Sequence, residues 1–390
     1  MAARDAEGIV IVGGGPAGFA TARAYRKAGG REPVTIVCEE PLLPYQRPPL
    51  TKGLLRGDAD VDELPLAPAS WFRAHGVRAR IGIAAAAVDP GAMRVRLADG
   101  EELPARAIVL ATGSEPTPAP FPGAGHPRVG VIRRVADGLR ARALAGGASA
   151  TVVGGGFIAS EAAASLAMRG AAVTLVDRER LPQLERIGEH AAMRIRDWLR
   201  ELGVEHLGET EVEAIEDDGR VTRLAGGRRL SAAYTLLATG VRPRGELAAA
   251  AGLAMAGGAV EVDERLAAAG AGRILAAGDV ARARNAAAGR PLRVEHWGDA
   301  LGQGDVAGRV LAGEDVRWDA VPGFWSTIGE RTIKYTGWGE GWGEARVVDH
   351  GDAFTVWYAR DGVTVGALTH ERDEDYQRAA KPIAGGAPPP

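Results

Sequence analysis

The apolar residues of this chain cluster in short continuous runs, and two of these runs lead directly into glycine turns. Residues 9–12 precede the segment GGGPAG at 13–18, and residues 151–153 precede GGGFIA at 154–159. A short apolar run bounded by glycine is typical of a strand buried on both faces of a parallel sheet. A helical pattern follows each glycine turn, so the sequence predicts two strand–turn–helix units.

After each turn the two halves continue with the same order of predicted helix and strand. The first helix is predicted from about residue 17 to 28 and the second from 157 to about 169, with following strands at 34–37 and 173–176. Each half then ends in an apolar run with an Ala-Thr-Gly turn, at 108–113 and at 236–240. This diverged internal repeat predicts two Rossmann-like halves of the α/β class, each with a parallel sheet covered on both faces.

The glycine turns and the acidic residues behind them predict two dinucleotide sites. The start of a helix after a glycine turn binds a pyrophosphate, and a carboxylate at the end of the next strand accepts ribose hydroxyls. Glu39 and Asp177 occupy those strand ends, although a solvated pair with Glu40 is the plainer alternative for Glu39. The turn residues assigned to cofactor binding are Gly13, Gly15, Pro16, Ala17 and Gly18 in the first half, and Gly154, Gly156, Phe157 and Ile158 in the second.

A third motif identifies the first nucleotide. The apolar run at 274–277 ends in Gly278-Asp279, which suits the sugar-alcohol chain of FAD when the first glycine turn is present as well. The second nucleotide is predicted to be NADH, because Asp177 favours an unphosphorylated ribose. Arg178 and Arg180 could bind a 2′-phosphate instead, and Ala159 is compatible with it, so NADPH remains possible.

The last part of the chain has a different character. Six of the eight tryptophans lie at or after residue 297, and the alternation at 354–358 indicates antiparallel strands. We therefore predict an FAD domain from 1–115 and 241–315, a NAD(P)H domain at 116–240, a small C-terminal α+β domain at 316–384 and a flexible tail at 385–390.

Composition excludes several classes of function. The formal net charge of −3 gives no general attraction to nucleic acid, and no apolar stretch predicts a membrane span. The single cysteine, Cys38, permits no internal disulfide or CxxC pair, and we interpret it as a small buried filler. No metal site is visible, and the expected location is cytoplasmic.

Three further segments resemble a known family. They are YQRPPLTK at 45–52, RVEHW at 293–297 and PGFWS at 322–326. Together with the glycine turns they resemble the FAD-containing ferredoxin reductases that serve bacterial oxygenases and P450s. Apoptosis-inducing factor and monodehydroascorbate reductase share that fold and match these segments less closely.

The resemblance implies roles for individual residues. Lys52 would lie near flavin N5, paired with Glu161, and Trp325 would lie at the edge where electrons leave. Arg133 and Asp279 would contact FAD, and the backbone around Trp297 would face the pyrimidine side of the ring. The remaining residues assigned to cofactor binding are Arg47, Thr112, Gly113, Gly240, Gly278, Glu295 and His296.

The resemblance also implies a reaction: a hydride passes from NADH to FAD, and single electrons then pass to a ferredoxin-type iron–sulfur protein. The chain would act as a monomer or homodimer. Segments 327–332 and 337–342 depart from the family, which leaves direct reduction of a small acceptor as an alternative, alongside a redox-responsive binding protein. A solvated lysine and a buried core tryptophan are the plainer alternatives for Lys52 and Trp325.

Overall fold

The computed structural model describes residues 8–339 and 341–390. Residues 1–7 of the predicted FAD domain and Glu340 of the departing segment 337–342 lie outside the described residues. The strands are β1 Gly8–Val12, β2 Val34–Cys38, β3 Val77–Ile81, β4 Ala85–Asp89, β5 Arg94–Leu97, β6 Glu102–Leu110, β7 Ser114–Pro116, β8 Val129–Gly130, β9 Ser149–Val153, β10 Ala172–Val176, β11 Glu205–Leu207, β12 Val212–Glu216, β13 Val221–Leu224, β14 Arg229–Ser231, β15 Tyr234–Leu237, β16 Val241–Pro243, β17 Met255–Ala256, β18 Ala259–Val262, β19 Ile274–Ala276, β20 Ala281–Asn285, β21 Arg290–Arg293, β22 Gly323–Ile328, β23 Arg331–Gly337, β24 Glu344–His350, β25 Ala353–Arg360 and β26 Val363–His370. The α-helices are α1 Pro16–Lys27, α2 Gly53–Arg56, α3 Ala69–Ala74, α4 Val135–Ala145, α5 Phe157–Met168, α6 Leu184–Glu201, α7 Glu246–Ala250, α8 Trp297–Leu311 and α9 Asp373–Gly385.

The first sheet is built around the strand that leads into the first glycine turn. β1 pairs in parallel with β2 on one side and β6 on the other, β3 extends β2, and β19 pairs in parallel with the end of β6. β5 pairs antiparallel with the first part of β6, and β4 pairs antiparallel with β5. The parallel strands bring three connections to one edge of the sheet: the first glycine turn, the segment after β2 and the turn at Gly278.

The second sheet repeats the same core arrangement. β9 leads into the second glycine turn and pairs in parallel with β10 and β15, and β11 and β8 extend the sheet on its two sides. The strand before each turn is therefore flanked by the strand that precedes the carboxylate and by the strand that precedes an Ala-Thr-Gly turn. The predicted repeat and the α/β class are confirmed, and the two helices begin and end within a residue of the predicted bounds.

The C-terminal region is an antiparallel sheet covered by a helix. Its strand order is β22-β23-β26-β25-β24, and Ala379 and Ile383 of α9 pack against Trp357 and Ala367. This agrees with the predicted α+β domain. The end of the chain contacts the sheet, because the Thr364 N–H donates to Ala387 O over 2.8 Å. Flexibility of the tail at 385–390 stays a prediction about its motion.

Two contacts fix the site between these units. β7 and β16, which lie at the predicted domain limits, pair antiparallel and form a ribbon between the two Rossmann-like halves. The second large hydrophobic core joins the NAD half to β22, β23 and β25 and to the segment around Leu50. The second half thus packs against both other units, although the exact domain limits stay predictions.

Candidate active site

Two glycines of the first turn have no room for a side chain. Gly13 has φ +126°, and a Cβ there would lie 2.0 Å from Ala111 O, while a Cβ on Gly18 would lie 2.1 Å from Gly13 O. Gly15 faces open space and precedes α1, whose first turn has neither a side-chain cap nor an acidic residue. The free N–H groups at the start of α1 are therefore available to an anion such as a pyrophosphate.

The second glycine turn has the same construction. Gly154 has φ +124°, and its Cβ would lie 2.3 Å from Ala238 O. Gly156 precedes α5, which also lacks a side-chain cap and an acidic first turn. Two equivalent anion sites thus lie in one molecule.

Both turns line a single cleft of about 1160 Å³. All residues predicted from sequence to bind a cofactor or act in catalysis line this cleft except Gly18, which is buried beneath the first turn. The structure therefore brings the predicted residues together, and their individual roles stay predictions. The lining residues from that set are Gly13, Gly15, Pro16, Ala17, Glu39, Arg47, Lys52, Thr112, Gly113, Arg133, Gly154, Gly156, Phe157, Ile158, Glu161, Asp177, Gly240, Gly278, Asp279, Glu295, His296, Trp297 and Trp325.

Glu161 connects the three units at the wall of this cleft. Lys52 Nζ lies 2.6 Å from its Oε2, and Thr51 Oγ1 donates to the same oxygen over 2.6 Å. Ser326 Oγ donates to Oε1 over 2.7 Å, and the Thr327 N–H over 3.3 Å. The Glu161 side chain is 5% exposed and that of Lys52 16%. Since a buried carboxylate is costly unless its lone pairs are filled, this set of donors fixes Glu161 in one orientation.

Asp279 lies at the edge of the first sheet with two partners. Ser114 Oγ donates to Oδ2 over 2.5 Å, and Arg133 lies 3.4 Å from the same oxygen. The preceding Gly278 N–H donates to Gln303 Oε1 over 2.8 Å, which fixes the turn against α8. Both side-chain contacts are made through Oδ2, which leaves Oδ1 as an acceptor for a sugar hydroxyl.

Glu39 lies between two arginines. Arg134 binds its Oε1 over 2.9 Å and Arg244 its Oε2 over 2.7 Å. Burial acts to raise the pKa of Glu39, but the hydrogen bonds and charges of the arginines outweigh burial and hold the pKa below its usual range. The neighbouring Glu40 is bound by Arg47 over 2.9 Å and by the hydroxyl of Tyr45 over 2.8 Å.

Asp177, the corresponding carboxylate of the second half, has a different environment. Its Oδ1 accepts the Glu179 N–H over 3.0 Å, whereas its Oδ2 is buried and has no hydrogen-bond partner among the described residues. The exposed Arg178 lines the cleft beside it. Asp177 thus keeps acceptor positions that the protein itself leaves unfilled.

Aromatic and apolar side chains complete the cleft. Trp325 is 41% exposed and stands edge-on to Trp297, with ring centroids 5.6 Å apart. A buried core tryptophan is therefore the wrong alternative for Trp325. Ile158 is 45% exposed in the cleft, while Phe157 packs on Phe324. Large apolar groups exposed in a concave site are typical of a surface that a planar ligand covers.

Cys38 lies behind the first turn. Its side chain is 2% exposed, and a Cβ on Gly14 would lie 2.5 Å from its sulfur. Burial, together with the charge of Glu40, raises the pKa of the thiol to about 12. The interpretation of Cys38 as a buried filler is confirmed for its position, and the thiol lacks the thiolate character that a reactive cysteine needs.

Several residues of the site were missed from sequence. Ser326 could have been found, because it lies in the PGFWS segment, and Thr51 lies in the segment that contains Lys52. Arg134 and Arg244 carry no local signal in a chain with 47 Lys and Arg, nearly all of them arginine. Gln303 is a single polar residue in a helix, and only its buried position beside Gly278 distinguishes it.

The residues present fit two dinucleotides. The first half offers an uncapped helix start, a carboxylate at Glu39 and another at Asp279, which match the pyrophosphate, ribose and ribityl groups of FAD. The second half offers an uncapped helix start and the unpaired oxygen of Asp177, which match a nicotinamide nucleotide. Among the described residues, no group of three or more His, Cys, Asp or Glu is placed to hold a metal, and no helix is long and apolar enough to cross a membrane.

This fold and cleft define an oxidoreductase with two dinucleotide sites that line one cleft. Comparison with known proteins agrees: the family described as pyridine nucleotide-disulphide oxidoreductase matches residues 7–304. The chain belongs to this family, and the predicted use of FAD and NAD(P)H is confirmed with it.

Similar proteins extend the match over the whole chain. The ferredoxin–NAD(+) reductase component of the anthranilate 1,2-dioxygenase system of Burkholderia cepacia is 34% identical over 99% of this chain and 96% of its own. The ferredoxin reductase for the CYP199A2 system from Rhodopseudomonas palustris superposes with a TM-score of 0.93 at 25% identity, covering 98% of this chain and 96% of that one. The structure of the covalent putidaredoxin reductase–putidaredoxin complex matches with a TM-score of 0.90 at 28% identity, over 99% and 94%.

Proposed function

We propose that this protein is an FAD-dependent oxidoreductase that passes electrons from NADH through FAD to a ferredoxin-type iron–sulfur protein of an oxygenase or P450 system. The names of the similar proteins support this function, and the cleft supports it independently. A cytoplasmic location and a monomeric or homodimeric state belong to the same proposal, and cell fractionation and analytical sedimentation test them.

The observation that carries the proposal is the junction at Glu161. This carboxylate comes from the first turns of α5, directly after the NAD turn, and it binds Lys52 of the FAD half and Ser326 of the C-terminal domain. All three units therefore meet at one wall of the cleft that both glycine turns line. A reaction between two nucleotides requires this kind of convergence, because the protein must hold the two reacting groups close together and in alignment.

The chain's own groups would hold and orient the cofactors. Glu39, Asp279 and the start of α1 would bind FAD, which when bound accepts a hydride and gives up its electrons singly. Asp177 and the start of α5 would bind the nicotinamide nucleotide. The ammonium of Lys52 places a fixed positive charge at the junction, and Thr51 and Ser326 keep its partner Glu161 from rotating away.

Trp325 belongs to β22 of the C-terminal domain and stands in the cleft against Trp297 at the start of α8. Its ring is exposed, and the C-terminal domain carries the segments that depart from the family. We assign Trp325 to the face where electrons leave. Asp177 supports NADH over NADPH, because a carboxylate repels a 2′-phosphate, while Arg178 is the group that would favour NADPH.

Two variants test this division of the cleft. Lys52→Met should slow flavin reduction by NADH about 10- to 100-fold, the scale seen when one placed charge or donor is removed from an active site. Trp325→Ala should leave that step nearly normal and slow the reduction of a ferredoxin. Lys334→Met is the matched control, because Lys334 pairs with Asp373 over 2.6 Å and does not line the cleft.

Stopped-flow absorbance follows flavin reduction, and ferredoxin-coupled cytochrome reduction follows the second step, both on FAD-loaded protein. Equal losses in both steps for both variants, or no loss in either, would show that the entry and exit faces are wrongly assigned. Fast NADH oxidation with a quinone or oxygen and none with any ferredoxin would instead favour direct reduction of a small acceptor.

A further inference from the structure

The carboxylate of Asp177 lies next to a buried histidine that no part of the proposed mechanism uses. His206 Nε2 lies 3.8 Å from Asp177 Oδ2, and the two side chains are 9% and 5% exposed. Both atoms are buried and have no hydrogen-bond partner among the described residues. Two unpaired buried polar atoms this close are unusual, because each one carries a desolvation cost that a bond between them would relieve.

The strand register explains why they meet. β10 and β11 run parallel, with Leu175 opposite His206, and the Asp177 N–H continues the ladder by donating to Leu207 O over 2.9 Å. Side chains two residues apart point to the same face of a sheet, so Asp177 and His206 share a face at neighbouring strand ends. The distance of 3.8 Å exceeds a hydrogen bond, so the bond proposed below requires the two side chains to move closer.

Asp177 is confined on its other sides. A Cβ on Gly155 would lie 2.0 Å from Oδ2, so the carboxylate rests against the glycine turn, and the Glu179 N–H binds Oδ1 over 3.0 Å. His206 does not line the cleft, whereas Asp177 does. The histidine is therefore behind the carboxylate and can act on a ligand only through it.

We propose that His206 is a positioning residue for nucleotide binding: its Nε2–H donates to Asp177 Oδ2 and orients the carboxylate for the ribose hydroxyls of NAD(H). A carboxylate has about four acceptor positions, so those filled by His206 and Glu179 leave two for the ribose diol. The same arrangement disfavours NADP(H), because a carboxylate fixed in this orientation meets the 2′-phosphate directly. This inference rests on the proposed binding of a nicotinamide nucleotide at the second glycine turn.

The test is equilibrium binding of NAD⁺ and NADP⁺ to FAD-loaded protein by titration calorimetry, which needs no turnover. His206→Leu removes the donor and should raise the Kd for NAD⁺ about 10-fold, equivalent to about 1.4 kcal/mol, with a smaller change for NADP⁺. His206→Gln places an amide N–H near the position of Nε2 and should restore binding to within about twofold of the unaltered protein. FAD content and the melting temperature check that each variant is folded, and His206→Met replaces the leucine variant if that one does not retain FAD.

A double-mutant cycle with Asp177→Asn separates positioning from a structural role. If His206 acts through Asp177, His206→Leu should cost almost nothing further in the Asp177→Asn background, whereas independent effects would add. Additive losses, or equal weakening by the leucine and glutamine variants, would overturn the inference. So would NAD⁺ binding that is unchanged in His206→Leu. Failure of the unaltered FAD-loaded protein to bind NAD⁺ at all would overturn the proposed function, and the inference with it.

Discussion

The two halves of this molecule have the same strand order around their glycine turns, but the carboxylates that follow the next strands have different partners. Glu39 of the first half is bound by Arg134 and Arg244, one on each oxygen. Asp177 of the second half has one oxygen without a partner and only a histidine 3.8 Å away. The same backbone motif therefore carries two different carboxylates. The protein pairs both oxygens of Glu39 with arginines, whereas Asp177 keeps an oxygen without a hydrogen-bond partner in the protein.

This difference matches a resident cofactor and an exchangeable one. A carboxylate already neutralised by two arginines leaves positive charge at the edge of the first site, which suits the pyrophosphate of a tightly held FAD. A carboxylate with unfilled acceptor positions in the second site gains hydrogen bonds when a nucleotide enters and loses them when the product leaves. The energetic contrast lies in the side chains around the turns, since the turns themselves are nearly identical.

The largest expected effect comes from replacing one glycine by alanine in each of the two turns. Gly13→Ala places a Cβ 2.0 Å from Ala111 O and should abolish FAD retention. Gly154→Ala places a Cβ 2.3 Å from Ala238 O. This second variant should keep FAD, but its reduction by NADH should be at least about 100-fold slower. Absorbance of bound flavin and stopped-flow reduction measure the two outcomes.

Gly29→Ala controls for the strain of positive φ alone, because Gly29 has φ +85° and nothing within 4 Å of its Cβ position. It should retain FAD and turnover. If Gly13→Ala keeps its flavin, or if Gly154→Ala loses it, the assignment of the two turns to different nucleotides is wrong.

The second comparison exchanges the carboxylates for amides. Asp177→Asn should raise the KM for NADH about 10-fold with normal FAD content, because it removes the charge and an acceptor that favour ribose hydroxyls. Glu39→Gln should leave the KM for NADH unchanged and speed FAD release. Steady-state kinetics and the rate of flavin loss on dilution provide both numbers, and reversed effects would contradict the account.

A smaller effect concerns acid stability. The pKa of Glu39 is lower in the folded protein than in the unfolded chain, because its arginine partners outweigh burial, so its ion pairs stabilise the fold above the unfolded pKa of about 4.3. That stabilisation is lost as pH falls through the lower folded pKa. Since Glu39 is about one-third exposed, screening limits the effect to below about 1 kcal/mol.

Urea unfolding of Glu39→Gln and the unaltered protein between about pH 6 and pH 3 should show a difference that shrinks with acidity. A difference that grows as the pH falls would mean that the arginines do not stabilise the ionised form of Glu39.

The smallest expected effect is that of Cys38→Ser. The thiol is buried behind the first turn with a pKa of about 12, and no second cysteine exists to exchange with it. NADH-dependent dye reduction by FAD-loaded Cys38→Ser should stay within about twofold of the unaltered protein. A large loss of turnover in that folded variant would implicate the thiol in the reaction.

The sequence predicted the turns because their requirement is steric and local. A glycine with φ above +120° between a buried strand and a helix leaves the same signature wherever it occurs, and both turns carried it. The strands and helices around Gly13 and Gly154 were placed within two residues for the same reason. Lys52 and Glu161 were paired on family resemblance, and the structure places them 2.6 Å apart.

The side chains that surround Glu39 and Asp177 could not be predicted from local sequence in this way. Arg134 and Arg244 reach Glu39 from positions 95 and 205 residues distant in the chain, and nothing near either arginine marks it. His206 reaches Asp177 only through the pairing of β10 with β11. The exposure of Trp325 likewise depends on how β22 meets the start of α8, so both a buried and an exposed tryptophan were consistent with the segment alone.

The most direct test of the account is anaerobic mixing of the FAD-loaded protein with one equivalent of NADH and an excess of an iron–sulfur ferredoxin. Because NADH carries two electrons and such a ferredoxin accepts one, the account predicts bleaching of the flavin followed by reduction of about two ferredoxins per NADH. NADPH at the same concentration should bleach the flavin more slowly. A flavin that NADH does not reduce, or a reduced flavin that passes no electrons to any ferredoxin while reacting readily with small acceptors, would contradict it.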